Sequence, residues 1–278
     1  MSYHFRHACC NEMYGQRPFA EVCRGLRDAG YEGIEIAPFT LAAQPADIKP
    51  ARRKELREIM ASEGVAFVGL HWLMVSPKGL QVTSPDAALR EKSWRHIEEL
   101  IGLCADLGDG GVMVFGSPKQ RESTGGLSPK EAARNFIDGL AKIAPLAGER
   151  GVTILVEALP TNQCDVITSL AQAAEVVREI AHPAVCTMFD THNAVEEAEP
   201  HATLIERYFD MIRHVHVNEM DGTQPGTGGY NFYPVLDTLA RKNYAGWVSL
   251  EVFDFSYGPE RIAAGSIDYL NKEIARIA

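Results

Sequence analysis

The chain has 278 residues, with 27 Lys and Arg against 37 Asp and Glu, which gives a formal net charge of −10 at pH 7. A hydrophobic fraction of 46% is ordinary for a globular protein and excludes disorder along the whole chain. The acidic balance repels phosphate backbones, so we expect no nucleic acid as a partner.

No apolar run approaches the ~20 residues that span a bilayer, and the first residues lack the apolar segment of a signal peptide. The six cysteines form no CxxC pair, which is typical of buried thiols in a reducing compartment. We therefore expect a cytoplasmic protein that contacts no membrane.

Short β-branched or apolar runs alternate with stretches of helical period along the chain. In chain order, the predicted strands and helices are strand Tyr3–Cys9, helix Phe19–Ala29, strand Gly33–Ala37, helix Ala51–Ser62, strand Val65–Leu70, a helix from Ser84 or Asp86 to Leu107, strand Gly111–Phe115, a helix opened by Ser128 and Pro129, strand Val152–Val156, helix Ser169–Ile180, strand Ala184–Phe189, helix Leu204–Phe209, strand His214–Val217, helix Tyr233–Lys242, strand Trp247–Leu250 and helix Glu260–Ile277.

Eight strands in strict alternation with eight helices predict an α/β fold, a single (β/α)₈ TIM barrel over residues 1–278. The competing architecture is a doubly wound open sheet. It would carry a Gly-rich first turn, and the segment after the first strand, Cys9-Cys10-Asn11-Glu12, is not one.

Each of the last four predicted strands carries a polar side chain at or near its carboxyl end. Glu157 and Asp190 end the fifth and sixth strands, His216 lies in the seventh, and Glu251 ends the eighth. Active sites of such barrels lie at the carboxyl ends of the strands, and neighbouring strands are about 4.8 Å apart, so these side chains are expected to meet.

Three carboxylates at such a distance would repel each other unless a cation neutralised them. A set of three carboxylates and one imidazole suits Mn²⁺, Mg²⁺ or Co²⁺ better than a structural zinc ion. The sequence therefore predicts a divalent metal ion, with Mn²⁺ as the first choice.

The runs LVEALP, MFDTHNAVEE, HVHVNEMDG, QPGTG and VSLEVFDF, together with GYEGIEIAPF near the second strand, carry a family resemblance. The chain resembles the xylose-isomerase-like TIM barrels, and among them the sugar epimerases and isomerases of the D-tagatose 3-epimerase type. The resemblance implies that Glu157, Asp190, His216 and Glu251 are the metal ligands. It also implies that the two glutamates act as an acid/base pair on a carbon next to the metal-bound carbonyl, through an enediolate.

The resemblance breaks at residues that contact the sugar in the epimerases. A second glutamate of the family is replaced by Gln163, and a histidine is replaced by Asn193, with His192 beside it. An arginine of the family is replaced by Gly222, and an Asn-Arg pair by Pro160 and Thr161. We therefore expect a sugar or sugar derivative as substrate, with Gln163, His192 and Asn193 among its contacts, and these changes weaken the case for a free ketose such as tagatose or fructose.

Further substrate contacts are expected near the third and fourth strands. His71 and Trp72 end the third strand, where an imidazole can bond a hydroxyl group and an indole can stack on a sugar. Lys119 and Arg121 follow the fourth strand and could bind a phosphate or a carboxylate. Amphipathic helices and an acidic surface are compatible with a homo-oligomer, which we expect.

Three other functions use the same barrel. A metal-dependent lyase or dehydratase on keto-sugars or inososes needs the same proton abstraction and expels a hydroxyl group or an aglycone. An apurinic endonuclease needs three metals and further histidines, of which only His71 is a candidate, and the net charge opposes DNA. A non-catalytic sugar-binding barrel would have no need of two carboxylates across one metal.

Overall fold

The computed structural model describes residues 3–277, in which eight parallel strands close into a barrel in the order β1 to β8. The strands are β1 Arg6–Cys10, β2 Gly33–Ile36, β3 Ala66–Leu70, β4 Val112–Phe115, β5 Thr153–Val156, β6 Val185–Asp190, β7 Ile212–Val217 and β8 Trp247–Leu250. The ring closes between β8 and β1, where Ala8 lies opposite Ser249 and Cys9 opposite Leu250. The predicted (β/α)₈ barrel is confirmed, while its extent as one domain over 1–278 stays a prediction.

Nine α-helices lie within the described residues, one more than predicted. They are α1 Phe19–Ala29, α2 Pro50–Glu63, α3 Ala87–Leu107, α4 Pro118–Arg121, α5 Pro129–Glu149, α6 Leu170–Ile180, α7 His201–Tyr208, α8 Tyr233–Arg241 and α9 Pro259–Ile274. The extra element is α4, a single turn in the connection after β4, which was expected to be a loop. Within residues 3–277, no helix combines the length and the apolar character needed to cross a membrane.

The helix ends follow from local chemistry. Asp86 accepts the backbone N–H of Ala88 at 2.9 Å and caps α3. Ser128 and Glu131 form a reciprocal capping box at the start of α5. Gly30, at φ +105°, ends α1 in the left-handed region, where a Cβ would be strained.

The first strand begins at Arg6, three residues later than predicted. Arg6 pairs with Trp247, the first residue of β8, and β8 offers no earlier residue with which Tyr3 to Phe5 could pair. The predicted first strand was therefore longer than the ladder that β8 can form with it.

The apolar core has two layers. Inside the barrel, small and medium side chains from five strands pack together: Ala8, Val68, Val112, Val114, Leu155, Cys186 and Met188. Between the strands and the surrounding helices lie two larger clusters, which include Ile34, Phe115 and Phe189. All six cysteines are buried with free thiols, in keeping with the prediction.

Candidate active site

The four predicted polar side chains meet at the carboxyl end of the barrel. Glu157 follows β5 and Glu251 follows β8, while Asp190 is the last residue of β6 and His216 lies in β7. One donor atom from each lies within 4.8 Å of the other three, and all four residues are buried. The structure therefore assembles the cluster that the strand ends predicted.

The charges of this cluster are not balanced by the protein alone. Burial, followed by the charges of Asp190 and Glu251, raises the pKa of Glu157 to about 8. Burial also acts to raise the pKa of Glu251, but the charge of His216 and the hydrogen bonds from His216 and His71 outweigh it and lower this pKa to about 2. Oδ2 of Asp190 is buried without a hydrogen-bond partner in residues 3–277. A divalent cation would satisfy that oxygen and remove the repulsion, so these residues fit one.

His216 is held from behind by Glu35, a residue of β2. Nδ1 of His216 faces the cluster, 3.1 Å from Oε2 of Glu251, while its Nε2 lies 3.1 Å from both carboxylate oxygens of Glu35. Glu35 is fully buried and also lies 2.8 Å from Nε2 of His214. A carboxylate that accepts the Nε2–H of a histidine leaves the lone pair on Nδ1 for a metal ion.

Sequence reasoning missed Glu35. The available signal was a single charged residue inside the short apolar strand Gly33–Ile36, which is buried along its whole length. In a barrel strand that is covered on both faces, such a charge needs a partner inside the barrel.

His71 lines the pocket and also contacts the cluster, and its role as a substrate contact stays a prediction. Its Nδ1 lies 3.1 Å from Oε1 of Glu251, and its Nε2 lies 3.1 Å from Oε2 of Glu12. The ring is 1% exposed. Because both carboxylate oxygens of Glu251 are thereby engaged, one by His71 and one by His216, the plane of this carboxylate is fixed.

A chain of hydrogen bonds reaches Glu157 from the other side. Nδ1 of His192 donates to the carbonyl oxygen of Met220 at 2.7 Å, so Nε2 is left to accept from the amide of Gln163 at 3.3 Å. The same amide nitrogen donates to Oδ1 of Asn193 at 3.2 Å, and Nδ2 of Asn193 donates to Oε1 of Glu157 at 2.9 Å.

This chain fixes the orientation of both amides. With both amide protons of Gln163 committed, its carbonyl oxygen is left without a partner in the part of the chain that the structure describes. Gln163, Asn193 and the neighbouring His192, at or beside positions that depart from the family pattern, thus form one network. Gln163 and Asn193 line the pocket, and His192 stands behind Gln163.

The two predicted cations after β4 take different positions. Lys119 is exposed, 3.4 Å from Glu122, and does not line the pocket, and its role as a substrate ligand stays a prediction. The guanidinium of Arg121 is fully buried because the α4 turn directs it inward. Its Nη1 donates to the carbonyl oxygens of Phe115 and Glu157, both at 2.8 Å. Arg121 therefore fixes the ends of β4 and β5.

A small pocket with a cavity volume of about 30 Å³ lies above the cluster. This is well below the ~300–1,000 Å³ of typical small-molecule sites. Its polar wall contains His71, Glu157, Gln163, Asn193 and Glu251. Its other wall is mainly apolar and contains Trp72, Val114, Pro118, Leu159 and Phe253. The pocket suits a small polar molecule that carries an apolar face.

The sequence of this chain is similar to a family model and to several characterised enzymes. The family model for the xylose isomerase-like TIM barrel matches residues 23–273. An L-ribulose 3-epimerase of Mesorhizobium japonicum is 24% identical over 254 residues, which cover 89% of this chain and 80% of the relative. A 3-dehydro-D-guloside 4-epimerase of Escherichia coli is 22% identical over 248 residues, which cover 87% of this chain and 89% of the relative.

Solved structures agree on the fold. The crystal structure of a 3-keto-D-glucoside 4-epimerase from Escherichia coli superimposes with a TM-score of 0.83 at 19% sequence identity, and covers 97% of this chain and 100% of that one. At this identity the likeness establishes the barrel alone. Together with the family model, it confirms the resemblance that the sequence motifs indicated.

Proposed function

Because the chain belongs to the xylose isomerase-like TIM-barrel family, we propose that it is a divalent-metal-dependent isomerase or epimerase of a sugar or sugar derivative. The observation that carries the proposal is the pair of buried carboxylates, Glu157 and Glu251, within one cation-sized cluster that borders a small pocket. The sugar epimerases among its relatives support the same reaction class.

Glu157, Asp190, His216 and Glu251 would hold the metal ion, for which Mn²⁺ is proposed first and Mg²⁺ or Co²⁺ next. When bound, the ion polarises the substrate carbonyl and lowers the pKa of the adjacent C–H. The two glutamates are the proposed acid/base pair. One takes the proton from the carbon next to the carbonyl, leaving an enediolate, and the other returns a proton to the opposite face.

The surrounding residues support these roles by fixing both carboxylates. Asn193 holds Oε1 of Glu157, and His71 holds Oε1 of Glu251, so each glutamate keeps one orientation towards the pocket. Gln163 would accept a hydrogen bond from a substrate hydroxyl group through its unpartnered carbonyl oxygen.

The relatives include one that acts on L-ribulose and others named for a 3-dehydro-guloside and a 3-keto-glucoside. We propose the second kind of substrate, a keto-sugar that carries a substituent, because the free-ketose contacts of the family are replaced here by Gln163, Asn193 and Gly222. The protein would act in the cytoplasm as a homo-oligomer, on a small molecule and without nucleic acid.

The test is uptake of deuterium from D₂O, with Mn²⁺ present, into a panel of ketoses, 3-keto-glycosides and inososes, followed by mass spectrometry and NMR. We expect exchange at one carbon together with a new stereoisomer or aldose. Loss of substrate with an unsaturated product would replace the isomerase by a lyase or dehydratase. Binding of substrate and metal without any exchange would contradict an enzymatic function, and chelated enzyme serves as the control.

A further inference from the structure

The apolar wall of the pocket is built around one aromatic ring. Phe253 lies two residues after Glu251, and its backbone N–H donates to the carbonyl oxygen of Gly222 at 2.8 Å. A Cβ at Gly222 would lie 2.5 Å from Cδ2 of Phe253, so the ring occupies the space that a side chain at this position would need. The ring of Phe253 therefore fills the space beside Gly222 that a polar side chain at position 222 would otherwise occupy.

Phe253 forms an aromatic corner with two neighbouring rings. Its centroid lies 6.2 Å from that of Trp72, with the planes at 84°, and 5.1 Å from the ring of His192. Trp72 has a backbone φ of +50°, in the left-handed region that is unfavourable for a bulky residue. Strained backbone of this kind persists where the surroundings hold a side chain at a binding site. Trp72 and Phe253 also line the pocket beside Glu157 and Glu251.

The corner is open to solvent on its outer side. Phe253 is 39% exposed, and it belongs to the small set of large exposed hydrophobic residues among positions 3–277, with Val195, Phe255 and Tyr257. All four follow β6 or β8 and therefore lie at the carboxyl end of the barrel. Of the four, only Phe253 also lines the pocket, and an exposed apolar ring beside a polar pocket is typical of a ligand-binding groove.

We infer that the site takes a sugar joined to a second ring, which packs on Trp72 and Phe253 while the sugar carbonyl faces Glu157 and Glu251. The inference rests on the proposed function and adds a subsite to it. The second ring is an aromatic aglycone or another pyranose, since both present a flat apolar face to an aromatic side chain. A ring is favoured over a docked protein because the corner is continuous with the pocket wall.

The experiment compares methyl, phenyl and glucosyl 3-keto-β-D-glucopyranosides as substrates for deuterium exchange with Mn²⁺-loaded protein. We expect kcat/KM to be about tenfold higher for the phenyl or the glucosyl compound than for the methyl compound. The better of the two identifies the second ring. In F253A, kcat/KM for the ring-bearing glycoside divided by kcat/KM for the methyl glycoside should be close to one. F253L should give an intermediate value of this ratio, because leucine keeps apolar area without an aromatic face.

Tyr257→Ala is the matched control, because Tyr257 is an exposed aromatic residue of the same connection that does not line the pocket. It should leave the ratio unchanged. Equal kcat/KM for all three glycosides, with exchange intact, would overturn the subsite and leave the proposed function standing. No exchange and no saturation-transfer NMR signal from any of them would contradict both. Light scattering on F253A tests whether the corner instead contacts a second copy of the chain. A changed oligomeric state together with an unaltered kcat/KM ratio would assign the corner to that contact and overturn the inference.

Discussion

Glu35 and His216 contact each other across the inside of the barrel, with both carboxylate oxygens of Glu35 3.1 Å from Nε2 of His216. The two residues are 181 positions apart in the sequence, on β2 and β7. Because Glu35 accepts the Nε2–H, the other ring nitrogen of His216, which faces Asp190 and Glu251, could give its electron pair to a metal ion bound between them.

Glu35→Gln should therefore weaken Mn²⁺ binding by about 10–100-fold, the usual effect of losing such an outer carboxylate. The glutamine amide can place only one acceptor near His214 and His216, so the ring of His216 is no longer held in one tautomer. Titration of Mn²⁺ followed by electron paramagnetic resonance measures the affinity without relying on activity. Glu32→Gln, an exposed change just before the same strand, is the control. Unchanged affinity in Glu35→Gln would contradict the positioning role.

Glu157→Gln and Glu251→Gln should each abolish deuterium exchange while the fold stays intact. Loss of a general acid or base alone costs about 10²–10⁴-fold in rate, and a lost metal ligand adds to this. Exchange rates should be measured alongside circular dichroism and thermal unfolding. Glu175→Gln, on the exposed face of α6, is a matched control. Wild-type exchange in either site variant would contradict the acid/base assignment.

Arg121→Leu should lower the free energy of unfolding by about 2–4 kcal/mol, because the carbonyl oxygens of Phe115 and Glu157 lose a buried charged donor. It should also slow exchange, since the backbone of Glu157 is no longer tied to the end of β4. Urea unfolding and exchange kinetics measure the two effects. Lys119→Leu removes an exposed cation from the same turn and should change neither quantity by more than a small factor. Equal behaviour of the two variants would show that Arg121 has no anchoring role.

The buried side chain of His7 is expected to make the free energy of unfolding depend on pH. Burial, and then the charge of His4, lowers the pKa of His7 from 6.5 to about 4. The unfolded chain therefore takes up a proton at His7 below pH 6.5 while the folded chain does not, so stability decreases as the pH falls from about 6.5 to 4. The full shift corresponds to about 3 kcal/mol.

In His7→Gln this part of the acid destabilisation should disappear, which urea unfolding at a series of pH values can measure. The variant is compared with wild type by the slope of stability against pH, because loss of the buried ring lowers stability at every pH. His4→Gln, at an exposed position, should alter the slope far less. An unchanged slope in His7→Gln would contradict the assignment.

The barrel and the cluster at its mouth were predictable because both depend on short-range patterns. Each strand of the second half is short and mostly apolar and carries, or is followed by, one polar residue of the cluster, and the parallel arrangement brings those ends together. Glu157, Asp190, His216 and Glu251 are therefore found from the alternation of strands and helices and from the family motifs, without knowledge of packing.

The partners of that cluster were not predictable in the same way. Whether Arg121 points inward or into solvent depends on the single turn of α4, which no pattern in the sequence predicts. The contact of Glu35 with His216 requires the register of two strands on different sides of the barrel. The position of Phe253 depends on the missing side chain at Gly222, which only the folded connections bring against it.

The two halves of the chain contribute different parts of the proposed metal centre. The proposed ligands lie in or directly after β5 to β8. By contrast, Glu35 and His71, which contact His216 and Glu251, and Glu12, which contacts His71, come from the first three strand–helix units. A chain cut in the turn between α5 and β5 would therefore separate the ligands from their supports. When the two fragments are mixed, high-affinity Mn²⁺ binding should return only as the β4–β5 and β8–β1 ladders re-form. Metal affinity in this protein is thus a direct measure of fragment complementation.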